Sequence, residues 1–161
     1  MDNVKIAFEN SLYGARIIEL NRICELVRFV FEVPDGRVFN LHVLCFLRVF
    51  DSDGTLAFCT QNMRDRSPTY RKKRFKKYDW TVVGATVFDD AIADYRNKLF
   101  STIVSDVEFI GNDIKIKFNS GMWIDVLVTT TKYDDKHYVE DYRFFENNKI
   151  KEHYFFPKET M

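Results

Sequence analysis

Every odd-numbered position from Phe39 to Val49 is apolar, and the polar residues Asn40, His42 and Arg48 fall only between them. A pleated strand sends alternate side chains to opposite faces, so this stretch predicts one central strand with an all-apolar face toward a core and a mixed face behind it. Val27–Val33 alternates in the same way. Pro34-Asp-Gly36 supplies a fixed φ followed by a residue free to take φ > 0, so the two segments read as a hairpin. Ala15–Leu20 fits a strand or a helical turn, and Asp51-Ser-Asp-Gly54 turns the chain into Thr55–Cys59.

The second half has a related plan. Ile114, Ile116 and Phe118 alternate with Lys115 and Lys117, Asn119-Ser-Gly121 makes a turn, and Met122–Thr129 alternates again before the polar loop Lys132–Lys136 and the segment Tyr138–Phe145. Aligning Phe31…Gly36 with Phe118…Gly121 gives two β-meander halves, 15–59 and 103–145, and suggests a duplication. Between them Phe88, Ile92, Tyr95 and Leu99 fall on one helical stripe, with Thr86 placed to cap it and Asp89 and Asp90 near the positive end of its dipole. The expected fold is α+β and mostly antiparallel, with a helix over 87–99 packed on the sheet, in a single domain over 1–161.

Composition narrows the function classes. Twenty-four Lys and Arg balance 24 Asp and Glu, so no overall field draws the molecule to nucleic acid or an anionic membrane. No run approaches the ~18 apolar residues of a membrane span, and the first residues do not read as a signal peptide, so the expected address is the cytoplasm. Three cysteines, Cys24, Cys45 and Cys59, lack framework spacing and fit buried thiols in a reducing compartment.

Candidate chemistry is sparse. His42 and Cys45 invite a metal reading, but three residues apart on a straight strand they face opposite ways, so no metal or other cofactor is expected. Cys45 sits on the apolar face, where burial raises a thiol pKa, and no nucleophile elbow or phosphate loop occurs. No catalytic residue is assigned, and the reading leans away from an enzyme. The sharpest charge feature is Tyr70–Tyr78, in which Arg71, Lys72, Lys73 and Arg74 lead six cations bounded by aromatics. Such a run can follow phosphates while its rings stack on bases, which makes nucleic-acid binding one alternative. A small-molecule-binding protein or enzyme of unspecified reaction is the other. Trp80 and Trp123 are expected to anchor the core, with Trp80 also an aromatic candidate for a binding surface. Arg48 and Arg143 are expected to be half-buried ion-pair residues, Asp79 being one available partner. His42, Arg48, Arg71–Arg74 and Trp80 are the binding candidates.

Four groups of residues carry a resemblance: Gly14 with Arg22; Leu41-His-Val-Leu-Cys-Phe-Leu-Arg48; Asp79-Trp80 with Gly84 and Phe88-Asp89; and Tyr142-Arg-Phe-Phe145. Together they resemble a group of small bacterial proteins, from whose pattern this chain departs at Leu47 and Tyr142, where a Trp is expected. The resemblance implies an immunity-type protein that neutralises a toxin encoded beside it by stoichiometric binding. It agrees with the reading of a non-catalytic protein-binding domain, whose exposed loops would be Arg64–Tyr78 and Lys132–His137.

Overall fold

A computed structural model describes residues 2–70, 78–129, 140–149 and 153–156. The basic run 71–77, the loop Lys132–His137 and the start of the segment expected from Tyr138 lie outside the described residues. The order is α1 (Asp2–Leu12), β1 (Arg16–Ile23), β2 (Leu26–Glu32), β3 (Val38–Val43), β4 (Phe46–Phe50) and β5 (Leu56–Cys59). A 3-10 turn at Thr60–Arg64 and α2 (Val87–Phe100) follow, then β6 (Val104–Ile110), β7 (Asp113–Phe118), β8 (Trp123–Leu127), β9 (Tyr142–Glu146) and β10 (His153–Phe156). The fold is α+β and mostly antiparallel: one sheet runs β1-β2-β3-β9-β10, the other β5-β4-β8-β7-β6. Among the described residues no helix is long and apolar enough to cross a membrane.

The expected strand Phe39–Val49 is two strands in two different sheets. The chain leaves the first ladder at Leu44 and Cys45, whose N–H groups both donate to the Asp141 carbonyl, at 2.8 and 3.0 Å. That acceptor, on the residue just before the neighbouring strand β9, satisfies both groups where the first ladder ends, and β4 then starts a new ladder against β8. The parity nevertheless survives the crossover, since Phe39, Leu41, Val43, Cys45, Leu47 and Val49 are all buried.

A second helix, α1, precedes β1 where no element was expected. Phe8 and Leu12 are buried, and the Phe8 ring lies 4.0 Å from that of Phe144 on β9 and 5.4 Å from that of Phe109 on β6. Helix α2 likewise reaches both sheets, packing on β1 and β5, with Phe88 edge-on to Phe58 at 5.4 Å. Each helix therefore ties one sheet to the other around a single core. The capping box of α2 forms: Thr86 N–H donates to Asp89 at 3.0 Å, and Asp89 N–H donates to the Thr86 hydroxyl at 3.3 Å.

Strand order obeys a two-fold rule. Replacing β1-β2-β3 by β6-β7-β8, and β9-β10 by β4-β5, converts the first sheet into the second, and each set of five strands follows a helix. The details agree: β1 slips register against β2 between Ile17 and Glu19, and β6 slips against β7 between Val104 and Asp106. Phe31 faces Ile17 as Phe118 faces Val104. An isolated bridge joins Arg16 to Ile103, the residues just before those two positions. Each half thus lends its last two strands to the other half's sheet.

Candidate functional site

Arg22 organises one end of the molecule. The register slip in β1 leaves Leu20 and Arg22 on the buried face, and the Arg22 side chain is fully enclosed. Its Nε and Nη2 donate to the two Asp89 carboxylate oxygens at 2.6 and 2.7 Å, Nη1 to the Cys24 carbonyl at 2.9 Å, and Nη2 also to the Trp80 and Val82 carbonyls at 2.9 Å. A buried guanidinium survives only if its donors are taken up. Here they bind the Cys24–Glu25 turn, the Trp80–Val82 segment and the start of α2 into one unit. Burial pushes the Asp89 carboxyl up, but hydrogen bonds from Arg22 and Thr86 outweigh it and hold the group below its ordinary value.

Around this lock several apolar side chains face solvent: Ile23 (62%) before the turn, Leu44 at the crossover, and Trp80, Val82 and Val83 (65%) in the segment leading to α2. Beside them opens a cleft of about 540 Å3 whose lining includes Glu25, Leu44, Met63, Arg64, Tyr78 and Trp80. Cys45, buried, also lines it. Burial first, then the nearby Asp141 charge, pushes its thiol up to about 12, so it is not a nucleophile at neutral pH. Arg64, Arg66 and Glu25 make no ion pair among the described residues. The Arg66 guanidinium rests 5.9 Å from the Tyr78 ring centroid. Asp79 is a turn residue, held below its usual range by hydrogen bonds from the Thr81 side chain and backbone.

The sequence candidates do not converge here as a set. Trp80 lines the cleft, but it is 39% exposed and its carbonyl is what the buried guanidinium grips, so it is not a core anchor. Trp123 is half-buried and stacks on Phe50 at 4.6 Å. His42 is half-buried on β3, edge-on to Phe145 at 5.1 Å, with Arg28 and Arg143 opposite it on the flanking strands. Arg48, in the other sheet, pairs with buried Asp125 at 2.9 Å, and Arg143 with Glu140 at 2.8 Å, so neither takes Asp79. Neither His42 nor Arg48 lines the cleft. Arg71, Lys72, Lys73 and Arg74 lie outside the described residues. Among the described residues no group of three or more His, Cys, Asp or Glu side chains is arranged to hold a metal.

Sequence reasoning missed Arg22 as a structural lock, because a bulge moved it to the apolar face. It also passed over Leu44, Ile23 and Val82-Val83, which read as ordinary strand or loop residues. One signal was available: Thr81-Val-Val-Gly84 places two adjacent valines before a Gly, outside any alternating strand pattern. Comparison with protein-family models, with curated proteins and with solved structures gives no match. The site is therefore read from its own geometry.

Proposed function

We propose that this protein acts by binding another protein through the face around Trp80. One observation carries the reading: Ile23 and Trp80 with Val82 and Val83 are presented to solvent on backbone that Arg22 fastens from beneath, and the exposed Leu44 lines the same cleft as Trp80. Contiguous exposed apolar surface marks interaction sites, and aromatic anchors on rigid supports dominate their energetics. Fastening lowers the conformational entropy lost on docking. The partner class is the one that the resemblance implies, a toxin domain encoded in the neighbouring gene and neutralised stoichiometrically, as by an immunity protein.

Co-expression with the product of that gene tests the reading. Trp80→Ala and Val83→Asp should each weaken co-purification at least tenfold and abolish protection of the host, with no change in melting temperature. His42→Ala, outside the cleft, should behave as the parent does. Full protection by both face variants, or turnover of a small molecule by the pure protein, would defeat the proposal.

A further inference from the structure

The cleft beside the apolar face opens where the chain crosses from the first sheet to the second, and its lining mixes rings with open hydrogen-bonding groups. At about 540 Å3 it falls within the roughly 300–1,000 Å3 range of sites that take up small molecules. Three aromatic side chains, Phe46, Tyr78 and Trp80, line it together with the thioether of Met63. Ring faces and a thioether sulfur favour a flat, polarisable occupant. The 3-10 turn adds polar groups that the fold leaves open. Thr60 accepts from the Leu47 N–H at 3.2 Å, and its own hydroxyl proton has no acceptor among the described residues. Gln61 is exposed and its amide makes no hydrogen bond among the described residues, so it offers both a donor and an acceptor. Charge favours neither sign. Arg64 and Glu25 both line the cleft, exposed and without an ion pair among the described residues, and the equally uncommitted Asp65 follows Arg64. A charged ligand would leave water with no net countercharge to receive it, whereas a neutral one gives up far less.

We infer that the cleft binds a small, uncharged heteroaromatic molecule with hydrogen-bonding groups on its edge, the chemistry of a nucleoside or an aromatic amide. The ring packs among Phe46, Met63 and Trp80, and its edge pairs with the Gln61 amide and the Thr60 hydroxyl. Burial of the ring supplies the affinity, since it removes both its own surface and the exposed indole of Trp80 from water. The edge supplies selectivity. A ring of the same size without donors and acceptors would cover Gln61 and Thr60 and leave them unpaired. The inference goes beyond the protein-binding reading and stands apart from it, because it asks for binding without turnover.

The two tryptophans give the test its own control, since Trp80 lines the cleft while Trp123 stacks on Phe50 in the second sheet and does not. The indole N–H resonances of the isotope-labelled full chain are followed by NMR while adenosine, guanosine, uridine and indole carboxamide are titrated in, each beside a charged counterpart: the nucleoside monophosphates, indole acetate and tryptamine. The expected result is that at least one uncharged probe shifts the Trp80 resonance saturably at submillimolar concentration, leaves that of Trp123 in place, and binds at least fivefold more tightly than its charged counterpart. Gln61 makes no contact that the fold needs, so Gln61→Ala should melt as the parent does and bind that probe at least fivefold more weakly. Leu44→Trp, at a position 40% exposed on the cleft lining, should fill the mouth and abolish the shift. No Trp80 shift with any uncharged probe would overturn the inference. Tighter binding of the charged counterparts would overturn the ligand class, and full affinity in both variants would place the probe elsewhere and overturn the site. None of these outcomes touches the protein-binding reading, which co-purification of Trp80→Ala and Val83→Asp with the neighbouring gene product decides separately.

Discussion

At the scale of single residues, Arg22 and Asp89 have the most at stake. The pair is enclosed, and breaking such a pair costs more than the pair contributes, because the survivor is left charged without water. Asp89→Asn should lower the unfolding free energy at pH 7 by about 3–5 kcal/mol, measured by urea denaturation. The pH dependence has a definite sign. The folded-state carboxyl of Asp89 lies below its ordinary 3.8. Its stabilisation is therefore complete above that value and is lost as pH falls through the lower, folded-state one. The gap between parent and Asp89→Asn should narrow only below about pH 4. A gap that stays constant down to pH 2 would show that the carboxylate does not carry the effect. The face around Trp80 should loosen with the pair, since two of the guanidinium's acceptors are the carbonyls of Trp80 and Val82.

At the scale of elements, the crossover at Leu44 and Cys45 separates what is exposed from what is core. Leu44 points out toward solvent, and Cys45 points in, 6% exposed. With burial pushing its thiol up to about 12, essentially no thiolate exists at neutral pH. Cys59 is also buried, and Cys24 is exposed at a turn. A thiol reagent in excess at pH 7.5 should modify the native chain once, at Cys24, and a Cys24→Ser variant not at all until it unfolds. Rapid native labelling of Cys45 would mean that the crossover opens. Helix α2 shows the same division: the stripe of Phe88, Ile92 and Leu99 is buried, while its capped first turn contributes Asp89 to the lock.

At the scale of the whole molecule, the two halves are interleaved. The β4-β5 pair of the first half completes the second half's sheet, and β9-β10 completes the first's. The duplication suggested over 15–59 and 103–145 is a proposal about origin that this strand exchange and the matching register slips support. It has a physical consequence now. Neither half alone can satisfy its edge ladders or cover its apolar face. Fragments 1–74 and 75–161, expressed separately, should be insoluble or unfolded, whereas co-expressed they should purify as a complex with one melting transition. A folded monomeric fragment would contradict the exchange.

Local patterning by itself determined the buried faces of β2, β3, β4, β7 and β8, the existence of α2 with its Thr86 cap, the hairpin turn at Gly36 and the α+β class. Those features depend on periods of two or 3.6 residues and on turn chemistry that a few neighbours decide. Tertiary structure decided where Phe39–Val49 breaks, because the acceptor at the break, the Asp141 carbonyl, comes from the far end of the chain. It decided that Arg22 is inside, since a one-residue slip in β1 changed the parity of everything after it. It set Arg48 on Asp125, which lies beside it only once β4 pairs with β8. It also placed Trp80 at the surface, because the buried guanidinium holds that segment by its carbonyls and leaves the indole no core to enter. Ladder partners and buried charges are chosen among groups distant in sequence, and no local period encodes that choice.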